Sequence, residues 1–137
     1  MLSDQFTDFF GGTIYGYSRA QAITDGVLID VSSLAFEAGF KIPVAVTDSV
    51  WDQYITWTDE DSQKQALQDS EGRLWDVLFM LRLGINRNTT TDCLFYQLLV
   101  VPRDGKTKKS KLIKLKAIIG AGDNREPVIT IMLPNED

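Results

Sequence analysis

The densest apolar stretch of the chain runs from Asp69 to Asn86 and reads D-S-E-G-R-L-W-D-V-L-F-M-L-R-L-G-I-N. Leu74, Trp75, Val77, Leu78, Phe79, Met80, Leu81, Leu83 and Ile85 are interrupted by charge only at Arg73, Asp76 and Arg82. A surface helix carries one apolar stripe and one broad polar face. Apolar positions nearly all round predict a helix in the middle of the fold, started by Asp69 or Ser70 and ended near Asn86. It is too short and too charged to span a bilayer.

Beyond residue 90 the period changes. Cys93 to Val101 reads as a strand, and Pro102 with Asp104-Gly105 begins a turn. Lys111 to Ile119 returns with a half-clean alternation. Ile113, Leu115, Ala117 and Ile119 point one way; Lys114 and Lys116 point the other, beside Leu112 and Ile118. A loop over 120–127 leads to a third strand, Val128 to Leu133. Such short connections predict an antiparallel meander.

Ahead of the long helix the elements are brief. Phe6, Phe9 and Phe10 suit a short amphipathic turn that Gly11 and Gly12 break. Ser18 caps a helix over Arg19 to Thr24, which Asp25-Gly26 ends. Residues 27–31 are extended, and Leu34 to Ala38 form a second short helix. Residues 40–46 are extended, and a third helix turns Val50, Trp51, Tyr54 and Ile55 to the core. Residues 58–70 are polar and exposed. The fold class expected is α+β: short N-terminal helices and one central buried helix, packed on a C-terminal antiparallel sheet of at least three strands. Residues 1–137 suit a single domain.

Composition narrows the chemistry. There is no histidine and one cysteine, Cys93. Catalytic triads built on histidine, ordinary zinc sites and an internal disulfide are all excluded. The G-A-G-D turn at residues 120–123 has two glycines and leads to a strand, so it does not make a dinucleotide loop. No metal and no cofactor is expected. The first ten residues hold Asp4 and Asp8 and no basic side chain, which reads against a secretory leader. A cytoplasmic protein with no membrane association is expected.

The net charge is −5, but its distribution is uneven. Arg103, Lys106, Lys108, Lys109, Lys111, Lys114 and Lys116, opposed by Asp104 alone, put +6 on one hairpin and leave −11 on the rest. This is the candidate polyanion-binding surface. A second candidate surface gathers Tyr15, Tyr17, Arg19, Asp25 and Asp30 near short loops, and Arg82 of the long helix is a further candidate whose partner decides whether the helix lines a site.

Three stretches carry a resemblance. They are I-Y-G-Y-S-R-A-Q-A-I-T-D-G-V-L-I-D-V-S with the downstream G-F-K-I-P-V-A-V-T, then R-L-W-D-V-L-F-M-L-R, then L-K-A-I-I-G-A-G-D-N-R-E-P-V-I-T-I-M-L-P. Together they resemble a family of small uncharacterised bacterial proteins frequently carried by phages, plasmids and other mobile elements. The resemblance implies a cytoplasmic accessory protein and no particular activity. Residues and resemblance together favour a noncatalytic interaction or regulatory protein whose partner is another protein or a second copy. Two alternatives remain open: a small histidine-independent ribonuclease or nucleotide-acting enzyme, and nucleic-acid binding through the hairpin 103–116.

Overall fold

A computed structural model describes residues 17–87 and 92–137. The expected phenylalanine turn and Tyr15 lie outside the described residues. Five strands form one sheet in the order β1-β2-β5-β4-β3, from β1 (Leu28–Asp30), β2 (Val44–Thr47), β3 (Cys93–Val100), β4 (Lys111–Ala121) and β5 (Pro127–Met132). The expected meander is present: β3 pairs antiparallel with β4, and β4 with β5. The sheet is nevertheless mixed, because β2 lies parallel to β5, with Val44 beside Ile129 and Val46 beside Ile131. The N-terminal extended segments therefore extend the C-terminal sheet and do not merely pack on it. The fold is α+β.

Local signals set the helix starts. In α1 (Arg19–Thr24) the Ser18 hydroxyl accepts from the Gln21 amide, and in α4 (Asp59–Lys64) Thr58 and Asp61 form a reciprocal capping box. Between β1 and β2, α2 (Ser32–Glu37) makes a short antiparallel crossover. Thr47 caps α3 (Asp48–Val50), which runs on as a π-helix over Trp51–Ile55. The long helix α5 spans Ser70–Arg87, and the Asp69 carboxylate accepts from the Gly72 amide at its start.

Alternation sorts the sheet into two faces. Tyr96, Leu98, Leu115, Ala117, Ile129 and Ile131, with Val44 and Val46, point inward. There they meet Leu74, Val77, Leu78 and Leu81 of α5. The buried Tyr96 hydroxyl donates to the Val77 carbonyl at 3.0 Å and pins helix to sheet. Gly84 permits the close approach, since a Cβ there would lie 3.3 Å from Leu94 Cδ2. Across the sheet, α1 lies on the other face. The Arg19 guanidinium donates to Thr130 Oγ1 at 2.7 Å, and Thr130 sits between the inward Ile129 and Ile131. Ala22, Ala45, Val128 and Met132 are buried on that side.

The long helix is not buried all round. Trp75, Phe79, Met80 and Leu83 are 37–43% exposed, while Leu74, Val77, Leu78 and Leu81 are 7% or less. Covering every side of α5 would need a layer beyond it. The chain spends α1 on the opposite face of the sheet instead. Among the described residues no helix is long and apolar enough to cross a membrane.

Arg73 faces inward from α5 and is 4% exposed, and among the described residues no carboxylate is bonded to it. Its Nε donates to the Ile55 carbonyl at 3.1 Å; Nη1 donates to Gln68 Oε1 and to the Val101 carbonyl, each at 2.9 Å. The guanidinium also lies 4.4 Å from the Trp57 ring centroid. Burial lowers its pKa to about 10, so the charge persists at neutral pH. One side chain thus joins the end of the π-helix, the α4–α5 connection and the end of β3. Arg73→Ala leaves two buried carbonyls without a donor and should destabilise the protein by about 3 kcal/mol in denaturant unfolding. Arg73→Lys should rescue little of this, because one ammonium cannot reproduce the planar fork.

Candidate functional site

The first candidate group is largely consumed by the fold. Arg19 is anchored by two bonds to β5, to Thr130 Oγ1 and, through Nη2, to the Ile129 carbonyl at 2.8 Å. Burial lowers its pKa, opposed by the carboxylates of Asp30, Asp123 and Glu126. Tyr17 donates to Asp25 Oδ2 at 3.3 Å. Asp30 accepts from both the amide and the hydroxyl of Ser32 and locks the turn into α2. Arg82 donates from Nη1 to the Ala38 carbonyl at 3.0 Å and lies over Gly39, where an added Cβ would meet Nη1 at 2.4 Å. Gly39 also has φ +103. Arg19 is bonded to β5 on the outward face, whereas Arg82 reaches from α5, on the inward face, to the end of α2, so they do not share a cleft.

The G-A-G-D turn has a structural role invisible in its own pattern. Both oxygens of Asp123 accept from the start of α1, at 2.7 Å from the Arg19 amide and 3.0 Å from the Ala20 amide. A residue 104 positions away thus supplements the Ser18 cap. The Glu126 carboxylate lies over Gly122, where an added Cβ would meet it at 2.5 Å and displace it. Among the described residues no cluster of three or more acidic or cysteine side chains is arranged to hold a metal ion.

The basic hairpin is divided by its surroundings. Arg103 is paired with Asp61 at 2.7 Å. Lys116 is buried, and its Nζ donates to the Glu136 backbone carbonyl. Glu136 in turn accepts from Thr47 Oγ1 and the Leu133 amide, so the C-terminal tail crosses the outward face of the sheet. Lys106, Lys108, Lys109 and Lys111 remain exposed around the connection, and Lys114 is exposed on the outward face.

The connection between β3 and β4 has a built interior. Gln65, expected in an exposed stretch, is only 7% exposed. Its Nε2 donates to the Pro102 carbonyl, to Asp104 Oδ1 and to the Thr107 carbonyl, while its Oε1 accepts from the Gly105 amide. Asp104 accepts further bonds from the Thr107 hydroxyl and the amides of Lys106 and Thr107. The lysines therefore project from an ordered loop.

Next to that loop lies an apolar rung absent from the sequence-derived candidates. Leu99 and Leu112 are directly paired across β3 and β4 and are 62% and 60% exposed. Phe95, 52% exposed, lies on the same face. The half-clean alternation of β4 was the signal: Leu112 shares a face with Lys114 and Lys116. The arrangement offers an apolar strip bordered by ammonium groups, with the exposed Cys93 on the same face.

The Thr107 hydroxyl and the Thr107 and Lys106 amides hold the Asp104 pKa down at about 2, from an ordinary value of 3.8. Because the folded value is the lower, this contribution is complete above the ordinary value and is lost as pH falls from about 4 towards 2. The amide resonances of Lys106 and Thr107 should shift through that window. Asp104→Asn should show a loosened loop already at neutral pH.

No curated protein and no solved structure matches the chain. A family model does match, over residues 6–137, and by that match the chain belongs to the family of unknown function DUF6573.

Proposed function

We propose that the chain is a noncatalytic protein-interaction factor, a cytoplasmic accessory protein of a bacterial mobile element. The outward face of the β3–β4 hairpin is its binding surface, and its partner presents an acidic, partly apolar protein surface. One observation carries the reading: the exposed Leu99–Leu112 pair lies beside an ordered loop from which Lys106, Lys108, Lys109 and Lys111 project. Apolar contact supplies affinity, and the lysines steer and select a partner of opposite charge. The mobile-element and cytoplasmic parts of the proposal rest on the sequence resemblance and on the single cysteine of the sequence.

The surface fits a protein better than a nucleic acid. Two of the three exposed apolar side chains are aliphatic and give bases no ring to stack on. Arg103 and Lys116 are engaged within the molecule. A phosphate-handling enzyme is less well supported still, because Arg19 and Arg82 lie on opposite faces and each is bonded to the fold.

Peptide display against the immobilised protein tests this reading. Selection should enrich sequences that interleave Asp or Glu with large apolar residues. A synthetic peptide of that kind should lose at least about tenfold in affinity on Leu99→Ser with Leu112→Ser, and again on reversal of Lys106, Lys108 and Lys109 to Glu. Absence of acidic enrichment, or binding that survives both variants, overturns the proposal. Tighter binding of short oligonucleotides of equal charge does so as well.

A further inference from the structure

We infer that the open edge of β3 is a self-association site, at which two copies pair antiparallel about a two-fold axis at Gln97 and join their sheets into one. This edge is distinct from the outward face of the hairpin. β3 is the last strand of the sheet and pairs only with β4. The Ile119 amide donates to the Asp92 carbonyl, one step beyond the Cys93–Ile118 pair, which marks that step as hydrogen-bonded. In an antiparallel ladder every second pair exchanges such bonds. Leu94, Tyr96, Leu98 and Val100 therefore bond to β4, and the backbone amides and carbonyls of Phe95, Gln97 and Leu99 point out of the sheet. Among the described residues no hydrogen bond from elsewhere in the chain reaches them.

Strand edges that face solvent are ordinarily short, charged, bulged or interrupted by proline. The opposite edge fits that rule: β1 is three residues long and ends in Asp30. β3 has eight residues, C-L-F-Y-Q-L-L-V, with no charge, no proline and an unbroken register against β4. It is also held in place, because Tyr96 and Leu98 are buried in the core and the Tyr96 hydroxyl is bonded to α5. A row of oriented amides and carbonyls is matched by the backbone of another strand. The side chains select a second copy. Phe95 and Leu99, 52% and 62% exposed, stand two residues either side of the exposed Gln97. Antiparallel pairing centred on Gln97 sets Phe95 opposite the partner's Leu99 and each Gln97 amide opposite the other, so apolar meets apolar and amide meets amide. A shift of two residues either way sets an apolar side chain against Gln97. A shift of one opposes Phe95 to Leu98, whose backbone groups already bond to β4. Lys114 lies across from Gln97 on β4, so it and the partner's Lys114 stand about 14 Å apart, beyond a Debye length at physiological salt. The contact is isologous and occupies the long edge of both copies, so the assembly closes as a dimer.

Sedimentation velocity on the full chain should give twice the 15.4 kDa monomer mass at about 100 µM, falling towards monomer on dilution. In the dimer the amide protons of Phe95, Gln97 and Leu99 should exchange with solvent at least about tenfold more slowly than in the monomer. Gln97→Lys sets ammonium against ammonium at the axis, and Gln97→Pro removes an edge-facing N–H without touching the bonds to β4. Each should leave a monomer with an unchanged circular dichroism spectrum. Register is read by oxidative crosslinking in a Cys93→Ser background. Gln97→Cys should form a disulfide between its two copies. Phe95→Cys should not, because its copies stand about 14 Å apart along the strands, beyond disulfide reach. Reversal of Lys106, Lys108 and Lys109 to Glu should leave the dimer intact, so loss of peptide binding at the hairpin and loss of the dimer are read separately. A monomer at every concentration overturns the inference, as does a dimer that survives both Gln97 variants or a like-with-like Phe95→Cys disulfide.

Discussion

Arg73 is the constraint on which the arrangement of this protein depends. A guanidinium buried without a bonded carboxylate has only backbone carbonyls, an amide oxygen and an aromatic face to replace water. Ile55, Gln68, Val101 and Trp57 provide these, and they come from three separate parts of the chain. Holding Nε and Nη1 of this one side chain thus ties together the end of the π-helix, the α4–α5 connection and the end of β3, while Nη2 is buried without a hydrogen-bond partner among the described residues. Gln65 repeats the device one step farther out. Its amide holds the carbonyls of Pro102 and Thr107 and the amide of Gly105, so the lysine-bearing loop is ordered from within.

A single sheet with one long helix on its inner face leaves each layer a choice of what to cover. On the outward side, α1 and the C-terminal tail cover β2 and β5, where Ala45, Val128 and Met132 are buried. They stop short of the far end of the β3–β4 hairpin, where Leu99 and Leu112 stay exposed. On the inward side, α5 covers the strands but nothing described covers the Trp75–Leu83 ladder. Both exposed apolar surfaces are bordered by charge, lysines on one and carboxylates on the other. Charged borders limit indiscriminate edge and patch association and leave room for chosen contacts.

The elements were legible where local chemistry decides them. Ser18 and Asp69 announce helix starts, Gly26 at φ +79 follows the end of α1, and the period of β4 separates its two faces correctly. Long-range choices were not legible. Nothing in V-A-V-T says that β2 pairs with β5 and in parallel, because inward Val44 and Val46 would satisfy either neighbour. Asp123 looked like a turn residue and is a cap for a helix 104 positions earlier. Arg19 looked available for a ligand and is bonded to β5. Sequence shows which groups need partners; the packing decides who provides them.

The exposed side of α5 is the most informative of these differences. An apolar pattern around most of a helix predicts burial on every side, but burial needs atoms to supply it. The inward positions Val77, Leu78 and Leu81 are fully covered, whereas Trp75, Phe79 and Leu83, just as apolar, are not. The difference lies in how many layers the chain builds, which no helical periodicity records. A helix with more apolar surface than its own fold can cover has hydrophobic contact still to make. Its ladder and the outward hairpin face lie on opposite sides of the sheet, so contact at one leaves the other open.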